Sequence, residues 1–181
     1  MSHWTRQLTA LRACAEAITW AKGYDSLDAA WHACERADWM LWLAGHCAGD
    51  VDSASRQRVV LAACACARTA LKHTKDPRPL KAIETAEAWA RGEAGVTLDD
   101  VRNARVAAAA AAYAADAAAD AAAAAFAAAY AAAYAAAVAA AAAAYAADAA
   151  ADAAADADAL RKMADIVRQH IPEPPAPRAT R

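Results

Sequence analysis

The 181-residue sequence has 5 glycines, 6 prolines, 3 methionines and a single phenylalanine. Leu, Ile, Val, Met and Phe together supply only 26 residues. So little glycine excludes a collagen-like chain, and so little proline and glycine excludes a flexible linker protein. The shortage of β-branched residues and turn glycines argues against a β-sandwich or barrel. What fills the chain is alanine, at 67 residues. Alanine has the best intrinsic helix propensity because it loses no side-chain entropy. The expectation is an all-α protein, a bundle or array of about seven to eight helices with close-packed Ala-rich long helices.

Charge is also unevenly spread. Residues 1–106 carry 14 bases and 13 acids, and residues 107–159 carry 6 Asp and no base. Residues 160–181 carry 5 bases and 2 acids, for an overall formal charge of −2. No cluster of bases marks a nucleic-acid footprint, so no nucleic-acid partner is expected. The 27 residues between Asp120 and Asp148 are uncharged and long enough to span a bilayer. They are nearly all alanine, a weak driver of insertion, and acids flank both ends, so no membrane span is expected. The five cysteines are an odd number, and residues 1–12 hold no apolar stretch of signal-peptide type. Reduced thiols in the cytoplasm fit best, most of them acting as small core residues.

Apolar periodicity places the elements. Leu8, Leu11, Ala15 and Ile18 share a face of a helix over 5–22 that ends at Gly23. Asp25 is the expected start of the next helix, Asp38 the cap of a short third, and Gly45 with Gly49 its close. Ser53 or Ser55 opens a fourth helix with Val59, Val60, Ala63, Cys66 and Ala67 inward. Pro77 and Pro79 are expected to break the chain before a fifth helix that ends at Gly92. Thr97 with Asp100 forms a capping-box variant for the sixth. The ends Trp20-Ala21-Lys22-Gly23 and Trp89-Ala90-Arg91-Gly92 look alike, which helix-stop chemistry explains: a base in the last turn and a left-handed glycine.

From Ala107 to Ala159, 41 of 53 residues are alanine. A single rod of that length would reach ~80 Å, so a break within 121–146 and a pair of antiparallel arms is expected. Phe126, Tyr130, Tyr134 and Val138 wind slowly along the tract. A final amphipathic helix carries Leu160, Met163 and Val167 and stops at Pro172. The domain expectation is thus one helical domain over 1–172, with 107–159 as arms, and a disordered tail over 173–181.

Chemistry-bearing motifs are sparse. His32-Ala-Cys34, His46-Cys47 and Cys64-Ala-Cys66 lack zinc-knuckle spacing, and no metal or other cofactor is expected. There is no nucleophile elbow, no Gly-rich phosphate loop and no local Cys–His signature, so no enzyme is expected. The carboxylates Asp116/Asp120 and Asp148/Asp152/Asp156 read as a solvated stripe. The densest feature runs from Trp31 to Trp42 and holds Trp31, Arg36, Asp38, Trp39 and Trp42. These are either core anchors or a recognition surface, since Trp and Arg concentrate binding energy. Arg68, Trp89 and Arg91 are candidates to join it, although Arg–carboxylate pairing is an equal structural fate.

Several segments together resemble a known family. They are Leu11-Arg12-Ala-Cys14, the run Trp31 to Leu43, Leu61-Ala-Ala-Cys64-Ala-Cys66-Ala-Arg68 and Ala82-Ile83-Glu84 to Gly92. The alanine tract follows, and then Leu160-Arg161 to Pro172. Over about residues 8–172 the chain resembles the fifth immunity-protein class of bacterial polymorphic toxin systems, which is also phage-borne. That resemblance implies a small cytoplasmic, non-enzymatic protein that binds and neutralises a toxin protein. A phage-borne relative could instead sequester a small nucleotide immune signal in a Trp/Arg pocket, as counter-defence. So much small-residue surface also suggests a homodimer.

Overall fold

A computed structural model describes residues 3–104, apart from 52 and 74, and residues 157–176. The alanine arms, their aromatic line, the Asp stripes, the uncharged stretch 121–147 and the end of the tail lie outside these residues. Among the described residues there are helices and no strand, so the chain is all-α. No helix among them is long and apolar enough to cross a membrane.

The expected first helix is two, α1 (His3–Ala10) and α2 (Ala15–Ala21). The break is a left-handed cap at Arg12, φ 63°, with Arg12 N–H donating to Thr9 O and Ala13 N–H to Leu8 O. This is the bonding of a Schellman motif with arginine where glycine is usual. Cys14 then caps α2, its Sγ accepting from Ala17 N. Helix α3 (Leu27–Ala33) starts one residue later than expected, because the Ser26 hydroxyl accepts from Ala29 N at 3.0 Å.

Helix α4 (Ala37–Cys47) corrects two further expectations. Asp38 lies in its first turn rather than at its cap, because Arg36 holds the carboxylate. Gly45 lies inside the helix, buried, and does not end it. Helix α5 (Ala54–Arg68) is capped by Ser53 as expected. A 3-10 turn, Leu71–His73, leads to α6 (Pro77–Ala90). Its prolines start the helix instead of breaking the chain: Pro77 occupies the first turn, where a missing N–H costs nothing, and Asp76 caps it. Helix α7 begins at residue 98, with Thr97 and Asp100 bonding reciprocally as a capping box. Helix α8 is Ala157–His170.

The two look-alike helix ends differ in structure. Gly92 is left-handed, φ 70°, and completes a Schellman motif with Glu93 N–H donating to Ala88 O. Gly23 is not left-handed; a β-carbon there would sit 3.3 Å from the Trp20 carbonyl.

Helix α5 packs against α4, α6 and α8, and α8 also packs on α4. Surrounded on three sides, α5 buries Ala62 and Cys64 as well as its expected stripe. Alanine and cysteine make this arrangement feasible, since small side chains let helix backbones approach closely. Four of the five cysteines are buried and Cys14 is exposed. Burial pushes the Cys34 thiol up to about 11 and Cys66 up to about 12, and raises Cys64 as well. Brief iodoacetamide treatment of the native protein should therefore label Cys14 and spare the other four until unfolding. Mass spectrometry of the labelled peptides checks this. Equal labelling of Cys64 or Cys66 in the native state would contradict the packing of α5.

The C-terminal helix braces the N-terminal turn around α3. Arg168 donates to the carbonyls of Trp31 and Cys34, at 3.3 and 2.7 Å, and to Asp165 at 2.7 Å. The Trp31 indole N–H donates to Ile171 O at 3.2 Å, and Arg161 pairs with Glu35. These bonds hold the end of α3 and the start of α4 against α8.

Candidate functional site

A cleft of about 510 Å³ opens among α1 to α4. That volume falls in the range of small-ligand pockets, and its wall is mostly apolar. Five of the six tryptophans line it: Trp4, Trp20, Trp31, Trp39 and Trp42. Trp31 is 3% exposed and forms a buried anchor, while the other four are only partly buried. Each is fixed by a neighbour. The Trp4 indole N–H donates to Tyr24 O, and Trp42 stacks on His46 with ring centres 4.1 Å apart. Trp20 lies 4.6 Å from Tyr24 and 5.7 Å from Trp39, centre to centre. The Arg36 guanidinium continues this ladder, its carbon 4.6 Å from the centre of the Trp39 ring.

Arg36 is held in a two-pronged bond to Asp38, at 2.9 and 2.6 Å. Glu16 lies 3.7 Å from the same guanidinium. The Asp38 side chain is only 10% exposed, so the fork forms in a partly dehydrated place where charge-assisted bonds are strong. The cleft is therefore an aromatic wall whose charged lining is one arginine and two acids.

Trp31, Arg36, Asp38, Trp39 and Trp42, all expected from the sequence, do come together here. Within the Trp segment, Trp31 is buried in the core, while Trp39 and Trp42 are half-buried, packed against the core and lining the cleft. Arg68, Trp89 and Arg91 do not line this cleft. Arg68 forks onto Glu87 at 2.7 and 2.8 Å, Arg91 reaches Glu87 at 3.7 Å and Glu93 at 2.7 Å, and Trp89 packs against the core. The Arg68 guanidinium holds the Glu87 carboxyl below its ordinary 4.5. A lowered carboxyl pKa contributes stability that is full above about pH 4.5 and is lost as pH falls through the lowered value. Glu87→Gln should therefore flatten the acid limb of stability below that pH, as read from urea midpoints at a series of pH values.

The sequence reading missed Trp4, Trp20 and Glu16. Trp4 and Trp20 lie on helices separated from Trp31 by turns whose geometry no local pattern specifies. Among the described residues no group of three or more His, Cys, Asp or Glu is placed to hold a metal ion.

The fold and cleft thus define a class: an all-α scaffold of small residues with a tryptophan-lined cleft among its first four helices. Residues 49–174, more than two-thirds of the chain, match the family described as Imm-5 like putative immunity protein, and the chain belongs to that family. No curated protein and no solved structure matches the chain. The matched span begins after the Trp segment, so every residue lining the cleft lies upstream of it.

Proposed function

We propose that this protein neutralises a toxin by binding it, with no chemistry of its own, and that the tryptophan cleft is the binding surface. The single observation behind the cleft assignment is the set of four partly exposed tryptophans fixed around one cavity. Half-buried Trp and Arg already held in a concavity favour affinity because little side-chain freedom is lost on binding. In this reading the matched helices α5, α6 and α8 are the scaffold, and residues 4–43 choose the partner. The unit that does this is one helical domain acting in the cytoplasm.

A nucleotide sponge is less well supported. The arginines it needed at the aromatic wall, Arg68 and Arg91, sit elsewhere on Glu87. The arginine that is present is matched by two acids, a poor setting for phosphate.

The test is co-expression with a panel of growth-inhibiting toxin domains of polymorphic toxin systems, followed by titration calorimetry of each purified pair. Rescue of growth with a stoichiometric complex is the expected result. Rescue without a complex, or no rescue, would overturn the reading.

A further inference from the structure

The geometry points to a basic side chain of the toxin, lysine or arginine with its alkyl stem, as the group that the tryptophan cleft takes. This rests on the toxin-binding reading and specifies its chemistry. Three observations on the cleft favour a cation over an anion or a neutral apolar group.

The first is the internal cation already seated there. Arg36 lies 4.6 Å above Trp39, so this wall accommodates a guanidinium on an indole face. Indole faces carry negative potential, and Trp is the best of the aromatic partners for a cation. Trp4, Trp20 and Trp42 line the same space.

The second is the charge count. Glu16, Arg36 and Asp38 are the charged groups lining the cleft, which leaves one negative charge in excess. Asp38 is engaged on both oxygens by Arg36. Glu16 makes the longer contact, 3.7 Å, and its side chain is 73% exposed. It can approach an incoming cation without breaking the Arg36–Asp38 fork. An incoming carboxylate or phosphate would meet Glu16 and Asp38 with Arg36 as the one cation in the lining; Arg168, behind the wall, is taken up by the Trp31 and Cys34 carbonyls and by Asp165.

The third is size and polarity. About 510 Å³ of mostly apolar cleft is more than a charged headgroup fills. A lysine or arginine stem covers apolar surface while its head stays with the acids.

Tryptophan fluorescence of the full chain, titrated with four short probes, tests this. The probes are butylguanidinium, butyltrimethylammonium, butanol and butyrate. Both cations should bind about tenfold more tightly than butanol, and butyrate more weakly still. Glu16→Gln should lower the preference for cations several-fold with the circular dichroism unchanged, since Glu16 is exposed. Cys14 lines the same cleft and is exposed, so the cations should also slow its alkylation. Butanol binding as tightly as the cations overturns the assignment. So does the absence of any effect on fluorescence or Cys14 up to the solubility limit of the probes. Neutralisation of the toxin is scored on the same preparation. A failed probe series with intact neutralisation removes the cation assignment and leaves the toxin-binding reading standing.

Discussion

Leu41→Ala is expected to destabilise the protein by about 2–5 kcal/mol, toward the upper end of that range. Leu41 is fully buried in α4, the helix that packs against both α5 and α8. Its neighbours on the same helix include Ala37 and Ala44, also buried. The cost of such a deletion depends on how far the surroundings relax into the space left behind. Alanine has no rotamers with which to fill a void, and helices already in close contact cannot approach further. The hole left by Leu41 should therefore persist. In a chain of this size each kcal/mol lowers the melting temperature by about 2–4 °C, so a drop on the order of 10 °C is expected by calorimetry. A drop within the scatter of repeat melts would contradict the core placement of Leu41. The same logic runs in reverse at Ala86, fully buried in α6. There Ala86→Leu would force apart helices that alanine allows to touch, at about 1–3 kcal/mol.

The elements with local chemical signals were legible in the sequence. Ser53 caps α5, Thr97 and Asp100 form the box before α7, and Gly92 ends α6 in the left-handed conformation. Each of these features is decided within one helical turn. Other positions depart from their local signal. Asp38 has the chemistry of a cap, but Arg36 pairs with it and the helix begins without a side-chain cap. Arg12 adopts a left-handed conformation that favours glycine, and no residue type announces the break between α1 and α2. Gly45 carries a stop signal yet continues the helix, buried against its neighbours.

The site divides along the same line. The segment from Trp31 to Trp42 stood out by its density of tryptophans, and the cleft does form around it. Arg68 and Arg91 do not join the cleft, because an arginine is equally at home on a glutamate of its own scaffold. Trp4 and Trp20 complete the cleft only because the Arg12 turn and the Gly23 turn fold α1 and α2 back beside α4. The bracing from Arg168 and Ile171 spans more than 130 residues of sequence, and no periodicity could reveal it.

Trp39→Ala is expected to weaken toxin binding by about 2–4 kcal/mol, roughly 30-fold or more in Kd. Trp39 contacts both the Trp20 ring and the Arg36 guanidinium. Its removal takes away a large rigid contact face and also the surface that orients the Arg36 guanidinium. The Arg36–Asp38 fork should survive, because neither of its bonds involves Trp39. Trp39 is only partly buried, so the fold should lose less than it does at Leu41. The effect should therefore appear as faster dissociation of a folded protein, read by surface plasmon resonance at a temperature below both melting transitions. Arg91→Ala is the matched comparison. Arg91 is half-exposed, is a candidate from sequence to join the Trp segment, and lies outside the cleft. Its loss should leave the toxin Kd within about twofold, as for most residues away from an interface core. If Trp39→Ala changes Kd by less than about fivefold while Arg91→Ala changes it more, the toxin sits on the Glu87 side of the molecule and the tryptophan cleft is not its surface.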